Sequence, residues 1–487
     1  MDKNERIGEN ALKRQLSPMN VWAIVFGCVI GWGSFINPGK KFLPNSGVAG
    51  TAIAMVLGAL VMIIIAMSYA YMVPKYPKAG GEFSFTKACF GKTTAYICGW
   101  FLVAAYLTNV PMNSTAIGLI VDGIDGTLDV LKFGFHYSIA GFEIYMGEML
   151  LAMGILILFG YLNILGVEKA GFIQTVLSCL LIVSVFTLSV SALVITKATG
   201  VNLEPIWGFD KSAAIAAGAT MENMDAFAHV GTSGIISAIL ATFAIAPWAY
   251  VGFDAIPQAA EEFNFSFKKV SGIMIVAIVF GCYVYTSNNT VSALALANWP
   301  ERVMAGEWVL LVAAEEMLGP FGKILIGTGV SCAVLSGIMG FYLAASRLMF
   351  SMSREGYLPQ WFGVVDNKYG TPKNSIIFCI IISLSGPILG REALGWFVDM
   401  CAIGASIGYL FTCASTLVAI KRDQDGTLFL KVMATIGVCF SVTFIVLQLV
   451  PFPGLSGVHF GKESYLLLVV WIVLGVLFYS RQQKRFV

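Results

Sequence analysis

The feature that most constrains this chain is a series of apolar stretches, each close to the length of a bilayer-spanning helix. Such a helix takes about 20 largely apolar residues. Twelve stretches of this kind occur in the sequence, separated by polar or glycine-containing segments. They cover residues 21–42, 47–73, 95–120, 145–164, 172–194, 232–256, 273–296, 325–351, 375–389, 394–420, 430–449 and 465–479. The sequence therefore predicts an all-α membrane protein with twelve transmembrane helices.

Composition excludes two other classes of protein. Hydrophobic residues make up 57% of the 487 residues and charged residues 12%, against about 45–50% and about 25% in soluble domains. A soluble globule is therefore excluded. The net charge of +2 lacks the strongly basic character of nucleic-acid-binding proteins. We expect the lipid bilayer, and no nucleic acid, as a partner. Whether the protein forms a homodimer is an open question at this point.

The positions of the cations predict the orientation of the chain. Lys and Arg residues that flank short loops stay on the cytoplasmic side. With both termini inside, the cytoplasmic segments carry 21 of the 30 Lys and Arg residues and the external segments carry nine. The leader, residues 1–18, has no separate apolar stretch with a cleavage site, so we expect no removable signal peptide. The sequence predicts a multi-pass protein of the cytoplasmic membrane with both termini in the cytoplasm.

Two of the spans are interrupted near the middle of the membrane. The first contains Gly31-Trp32-Gly33, and the sixth contains the run Pro-Trp-Ala-Tyr-Val-Gly at residues 247–252. Glycine and proline also serve close packing and kinks in spanning helices. However, paired interruptions that open two five-helix halves are typical of the binding site in transporters built from inverted repeats. We therefore predict two half-helices that meet at a midplane binding site.

The ends of these half-helices suit a small zwitterion. The outer half of the first span begins near residues 32–34, where unpaired amides and the positive end of the helix dipole favour an anion. Freed carbonyls at both interruptions suit an ammonium group. The predicted backbone contacts are the amides of Trp32, Gly33 and Ser34 for the carboxylate, and carbonyls near Val29, Ile30, Trp248 and Val251 for the ammonium. Gly31, at the first interruption, is also predicted to belong to the substrate site.

Four ordered motifs resemble those of the amino acid–polyamine–organocation permeases. They are the run from Leu16-Ser17 through residues 31–35 to Pro38-Gly39 at the first span, residues 77–83 after the second, Gly252-Phe253-Asp254 with Glu261-Glu262 after the sixth, and Ser346-Arg347 with residues 354–359 after the eighth. The resemblance covers nearly the whole chain. It implies a LeuT-like fold with alternating access, in which two inverted five-helix repeats have broken first helices. The corresponding segments are a leader (1–18), the first repeat (19–196), an external loop (197–231), the second repeat (232–422), two additional helices (423–480) and a tail (481–487).

Within that family, several positions are most similar to exchangers of the arginine/agmatine type. The similarity implies that Trp248 is an aromatic gate, that Asn109 and Met112 contact the substrate side chain, and that Phe341 is a second pocket aromatic. Asp254 matches an acidic position linked to pH response, so we expect it to couple protons. An intramembrane carboxylate is costly and is by default a functional hypothesis.

Two positions depart from the family pattern. Trp32 stands between the two glycines, where relatives usually have a small residue, so carboxylate recognition is uncertain and an amine substrate stays open. Leu181 stands where many relatives place a lysine that substitutes for sodium. A lysine-for-sodium mechanism is therefore not expected.

Structural explanations compete with the functional ones. Trp248 and Phe341 can be packing aromatics, Asn109 can bind a neighbouring helix, and Asp254 can complement the dipole of the inner half-helix. We expect Glu261 and Glu262 to lie in a solvated loop; whether they form closing ion pairs with arginines after the eighth span stays open.

The sequence predicts a secondary active transporter of an amino acid or its amine derivative, acting as an exchanger. A proton- or sodium-coupled symporter of the same fold is the alternative. An enzyme is not expected, because no histidine lies at mid-membrane and no H-E-x-x-H or G-x-S-x-G motif occurs. The ten cysteines include no C-x-x-C pair, so no metal or other cofactor is expected.

Overall fold

The protein is almost entirely helical. Its computed structural model describes residues 12–124, 129–139, 142–199, 203–390, 393–452 and 459–483. The first eleven residues of the predicted leader and the last four of the predicted tail lie outside these ranges. The α-helices of the described residues are α1 (Pro18–Val29), α2 (Gly33–Asn37), α3 (Leu43–Lys75), α4 (Gly81–Phe90), α5 (Lys92–Gly123), α6 (Met146–Ile164), α7 (Val167–Thr199), α8 (Lys211–Ala217), α9 (Gly231–Phe243), α10 (Ala246–Ala249), α11 (Val270–Leu294), α12 (Trp299–Met304), α13 (Val309–Leu318), α14 (Pro320–Arg354), α15 (Lys373–Ser383), α16 (Ser385–Leu389), α17 (Ala393–Asp423), α18 (Leu428–Leu449) and α19 (Lys462–Gln483).

Shorter elements connect these helices. The antiparallel hairpin of β1 (His136–Ile139) and β2 (Phe142–Tyr145) pairs His136 with Tyr145. A π-helical segment covers Pro38–Phe42, and 3₁₀ helices cover Asp129–Leu131, Met221–Phe227, Phe253–Glu262, Phe267–Lys269 and Gln360–Gly363. The sequence analysis did not predict the hairpin or the short helices α4, α8, α12 and α13, because each is too short for a clear hydrophobic periodicity.

The twelve predicted spans are confirmed as helical. Ten segments of the described chain are long and apolar enough to cross a membrane. The first of them, Pro18–Lys75, contains both the first and the second predicted span, joined through Gly47 at a φ of 60°. The ninth predicted span is the shorter apolar segment Lys373–Leu389. The side that the cation distribution predicts to be cytoplasmic is called the inner side, and the opposite side is called the outer side.

Both predicted interruptions are confirmed. In the first span α1 ends at Val29, and α2 begins only at Gly33. In the sixth span α10 ends at Ala249, and the inner half continues as a 3₁₀ helix from Phe253. Between α10 and this 3₁₀ helix, Gly252 adopts a φ of 121°. Residues with a side chain rarely adopt this conformation. A glycine therefore ends each break.

Small residues hold α1 close to its neighbours α7, α11 and α14. A Cβ atom on Gly340 of α14 would lie 2.1 Å from Cys28 Sγ, so only glycine permits this approach. The side-chain amide of Gln174 on α7 donates to the Ala23 carbonyl of α1 at 3.2 Å and to the Ser336 carbonyl of α14 at 3.3 Å. These contacts fix the end of α1 at the centre of the helical bundle.

Candidate substrate-binding site

The two interruptions lie against each other. A Cβ atom on Gly252 would lie 2.4 Å from Cys28 Cβ and 2.9 Å from the backbone nitrogen of Val29. The broken part of the sixth span thus packs directly on the last turn of α1, because Gly252 has no side chain. By contrast, a Cβ atom on Gly31 would meet nothing within 4 Å. Open space therefore adjoins the first break.

Unpaired backbone groups of both signs occur at this junction. Within the described residues, the amides of Gly31, Trp32 and Gly33 donate no hydrogen bond, and the carbonyls of Val29, Ile30 and Val251 accept none. Buried peptide groups are almost always paired. A solute with an anionic and a cationic group could complete these hydrogen bonds.

Two other predicted backbone contacts already have partners. The amide and the hydroxyl of Ser34 donate to the Gly31 carbonyl at 3.2 Å and 2.9 Å. The carbonyl of Trp248 accepts the Val251 amide at 3.3 Å. Residues 29–33 and Val251 therefore offer free groups, whereas Ser34 and Trp248 must exchange partners to bind a solute through the backbone.

Two tryptophans lie on the outer side of the breaks. The ring centroids of Trp32 and Trp248 are 5.9 Å apart, and the indole of Trp248 covers the backbone of Gly33, whose added Cβ would lie 2.3 Å from Trp248 Cη2. Both rings line a cavity of about 160 Å³, which is large enough for several water molecules. Its other lining residues are Asn37, Lys40, Lys41, Leu119, Leu394, Gly395 and Val398.

The three predicted side-chain contacts lie away from this cavity, on two helices that pack against each other. Asn109 on α5 donates to the Ala105 carbonyl at 2.7 Å and lies 2.9 Å from Cys401 Sγ of α17. Met112 is buried on the same helix. Phe341 on α14 is buried, with its ring centroid 6.4 Å from that of Tyr106. Within the residues that the structure describes, none of the three lines the cavity of the two tryptophans.

Asp254 is fully buried at the start of the inner half of the sixth span. Its Oδ1 atom accepts the Gly252 amide at 2.7 Å, and its Oδ2 atom accepts the Tyr106 hydroxyl at 2.9 Å. The first contact places the carboxylate at the N-terminal end of the 3₁₀ helix, where it complements the helix dipole. The second contact links the sixth span to α5.

A second carboxyl, Glu82 of α4, was missed by the sequence analysis. It is fully buried and accepts the Tyr69 hydroxyl at 2.7 Å. Residues 77–83, which contain it, match a family motif, but a charged residue in a short connection is usually solvated. Burial and the nearby Asp254 raise the pKa of the Glu82 carboxyl to about 8. The only sequence signal was an acidic residue directly after Gly80-Gly81.

Two ion pairs join the end of the sixth span to α14 on the inner side. Arg347 and Glu262 are both fully buried, and the guanidinium donates to the two carboxylate oxygens at 3.0 Å and 3.1 Å. Arg354 binds Glu261 nearby, at 3.1 Å for one of its two contacts. The expectation of a solvated loop is therefore wrong for Glu262, because a bidentate guanidinium compensates its charge. The alternative, that these acids form ion pairs with the two arginines, is confirmed.

A comparison with known proteins identifies the family of this chain. The sequence profile of the amino acid permease family matches residues 16–478. The chain belongs to the amino acid permease family. Members of this family are transporters, so the expectation that the chain is not an enzyme is confirmed. The resemblance to the amino acid–polyamine–organocation permeases is confirmed as well.

Individual relatives of this permease have low sequence identity to it. The branched-chain amino acid permease BcaP of Bacillus subtilis is 24% identical over 98% of the chain and 95% of the relative. The large neutral amino acids transporter small subunit 2 of Oryctolagus cuniculus is 26% identical over 77% of the chain. The human Asc-type amino acid transporter 1 is 26% identical over 76% of the chain. The matched part covers 64% of each of these two mammalian relatives.

Proposed function

We propose that this permease exchanges amino acids with uncharged side chains across the cytoplasmic membrane, with both termini in the cytoplasm. The observation that carries the proposal is the junction of the two breaks. The free amides of Gly31, Trp32 and Gly33 suit a carboxylate, and the free carbonyls of Val29, Ile30 and Val251 suit an ammonium group. An amine without a carboxylate would leave the three amides without a hydrogen-bond acceptor.

The lining of the outer cavity supports an uncharged substrate side chain. A cationic side chain taken out of water needs an anionic partner. Among the described residues, the cavity is lined by aromatic, aliphatic and amide side chains and by two lysines, but by no carboxylate. The names of two relatives, a branched-chain amino acid permease and a large neutral amino acids transporter subunit, support the same class of substrate.

Proton-coupled symport of the same substrates is the second candidate function. Asp254 is fully buried in the sixth span and bonds to neutral donors. Intramembrane carboxyls form proton relays in pumps and transporters. Exchange and symport differ in what drives net uptake, so one transport experiment separates them.

We expect uptake of labelled leucine into proteoliposomes to be faster when the vesicles contain unlabelled leucine. Unlabelled leucine and valine should compete from outside, whereas isoamylamine, which is leucine without its carboxylate, should not. Uptake that is indifferent to internal leucine but collapses with a protonophore would contradict exchange and support symport. Competition by isoamylamine as strong as that by leucine would contradict carboxylate recognition at the first break.

A further inference from the structure

Two buried carboxyls share one hydrogen-bond network on the inner side of the substrate site. Glu82 lies on α4, and Asp254 lies at the start of the 3₁₀ helix Phe253–Glu262. Both are fully buried. The hydroxyl of Tyr106 on α5 lies 2.9 Å from Asp254 Oδ2 and 3.4 Å from Glu82 Oε1. A single hydroxyl therefore connects the two carboxyls.

The remaining side chains of this network are neutral. Tyr69 of α3 donates its hydroxyl to Glu82 Oε1 at 2.7 Å. The side-chain amide of Gln258 donates to Glu82 Oε2 and lies 3.3 Å from the Tyr106 hydroxyl oxygen. Tyr69, Tyr106 and Gln258 are each fully buried. The network thus joins α3, α4 and α5 to the inner half of the sixth span.

No cation balances the pair within the described part of the chain. The other ionisable groups that face it are thiols and a phenol: Cys28 of α1, Cys98 of α5, and Cys401 and Tyr409 of α17. Neither carboxyl forms an ion pair or a hydrogen bond with a Lys, Arg or His side chain of the described residues. Two negative charges would be disfavoured here by burial and by their mutual repulsion.

We propose that Glu82 and Asp254 hold one proton between them, and that this shared proton is a bound ligand that keeps the inner side closed. When it is present, the pair carries one negative charge, which the hydroxyl and amide donors can stabilise. When the proton leaves, one carboxylic acid becomes a carboxylate and the proton passes to water. The doubly charged pair then favours an arrangement in which water from the inner side reaches it.

The direction of the pH effect follows from this linkage. At pH values below about 8, where the pKa of Glu82 lies, the proton is bound and the inner side stays closed, so the outer cavity is available to substrate. Above that value the bound fraction falls tenfold for each pH unit. The apparent affinity for substrate from the outer side should fall by the same factor. This transport consequence depends on the proposed function, whereas proton binding itself does not.

Infrared difference spectroscopy of the ligand-free protein tests the proton directly, because a protonated carboxyl has a C=O stretch that a carboxylate lacks. We expect the wild type to lose one such band as the pH rises through about 8. Glu82→Gln and Asp254→Asn should each move this titration to lower pH, since the single remaining carboxyl is still buried but has no charged neighbour. Glu168→Gln, which changes an exposed carboxyl of α7, is the matched control and should keep it. A band that persists unchanged in Glu82→Gln would overturn the proposal.

Tyr106→Phe provides a second test that keeps both carboxyls. Removing the hydroxyl takes a donor from the charged form of Asp254, so the titration should move to higher pH. An unchanged midpoint, or one moved to lower pH, would contradict a proton shared through this hydroxyl.

Leucine exchange measured over the same pH range separates the two proposals. If the band titrates as expected but the wild type does not exchange leucine, the proposed function fails and the proton site stands. If exchange occurs but the wild type and Glu82→Gln have the same pH profile and the same spectrum, the proton site fails.

Discussion

Among single residues, Trp32 has a property that packing aromatics rarely have. Its indole Nε1 is buried and has no hydrogen-bond partner among the described residues. A buried donor without an acceptor costs free energy, about 1–3 kcal/mol, unless a ligand supplies the acceptor. Because the ring lines the outer cavity and lies beside the free amides of the first break, we infer that this N–H donates to the substrate carboxylate.

We expect Trp32→Phe to weaken leucine binding about tenfold, which corresponds to roughly 1.5 kcal/mol for a hydrogen bond to a charged group. The phenyl ring keeps the contact with Trp248 but has no donor. Radioligand binding to purified protein measures the change. Trp299→Phe is the matched control, because Trp299 also has a buried, unpartnered Nε1 but does not line the cavity. Equal effects of the two substitutions would show that the Trp32 indole acts only in packing.

At the scale of elements, the broken sixth span depends on one glycine. Gly252 combines a φ of 121° with direct contact between its backbone and the last turn of α1. A residue with a side chain at this position would be destabilised by the positive φ and by overlap of its Cβ atom with Cys28 and Val29. The junction that supplies the free carbonyls therefore requires glycine at this position.

Gly252→Ala should lower the thermal stability of the purified protein and abolish leucine binding. The positive φ alone costs about 1–3 kcal/mol, and the overlap with backbone atoms of α1 forces the two breaks apart. Gly272→Ala is the control, because a Cβ atom at this helical position of α11 meets nothing within 4 Å. A melting temperature of Gly252→Ala that equals that of the control would contradict the packing described for the junction.

At the scale of the whole molecule, the two sides of the permease differ. The outer side has a cavity that reaches the two tryptophans, whereas on the inner side the buried pair of Arg347 and Glu262 joins the sixth span to α14. We expect transport to require this pair to separate, since it ties the end of the sixth span to α14. Removing one partner of a buried ion pair lowers stability, because the remaining charge is left without compensation.

Glu262→Gln should destabilise the inner-closed arrangement by about 3–5 kcal/mol, the usual effect of breaking a buried ion pair. Thermal unfolding in detergent and leucine exchange in proteoliposomes measure the loss. Glu261→Gln is the matched control, because the Arg354–Glu261 pair is partly exposed and exposed pairs contribute about 0–1 kcal/mol. The double change Glu262→Gln with Arg347→Met should recover part of the stability. Equal effects of the two single substitutions would contradict a special role for the buried pair.

Local sequence was sufficient to predict the spans and their breaks. The apolar stretches are continuous along the chain. Spans of about 20 apolar residues can therefore be recognised without knowledge of any tertiary contact. Gly31, Gly33 and Gly252 likewise act through their own backbone. The role of Glu82 could not be predicted in this way, because nothing near it in sequence shows that Asp254 and Tyr106 lie beside it.

By itself, the sequence determined an all-α membrane protein with twelve spans, two of them interrupted by glycine and proline. Hydropathy and backbone conformation are properties of neighbouring residues, which explains that success. Only the tertiary structure decided which polar groups meet: Glu82 with Asp254, Arg347 with Glu262, and Asn109 with α17. The partner of a buried polar group is selected by packing between helices that are distant in the chain, and that packing has no local signature.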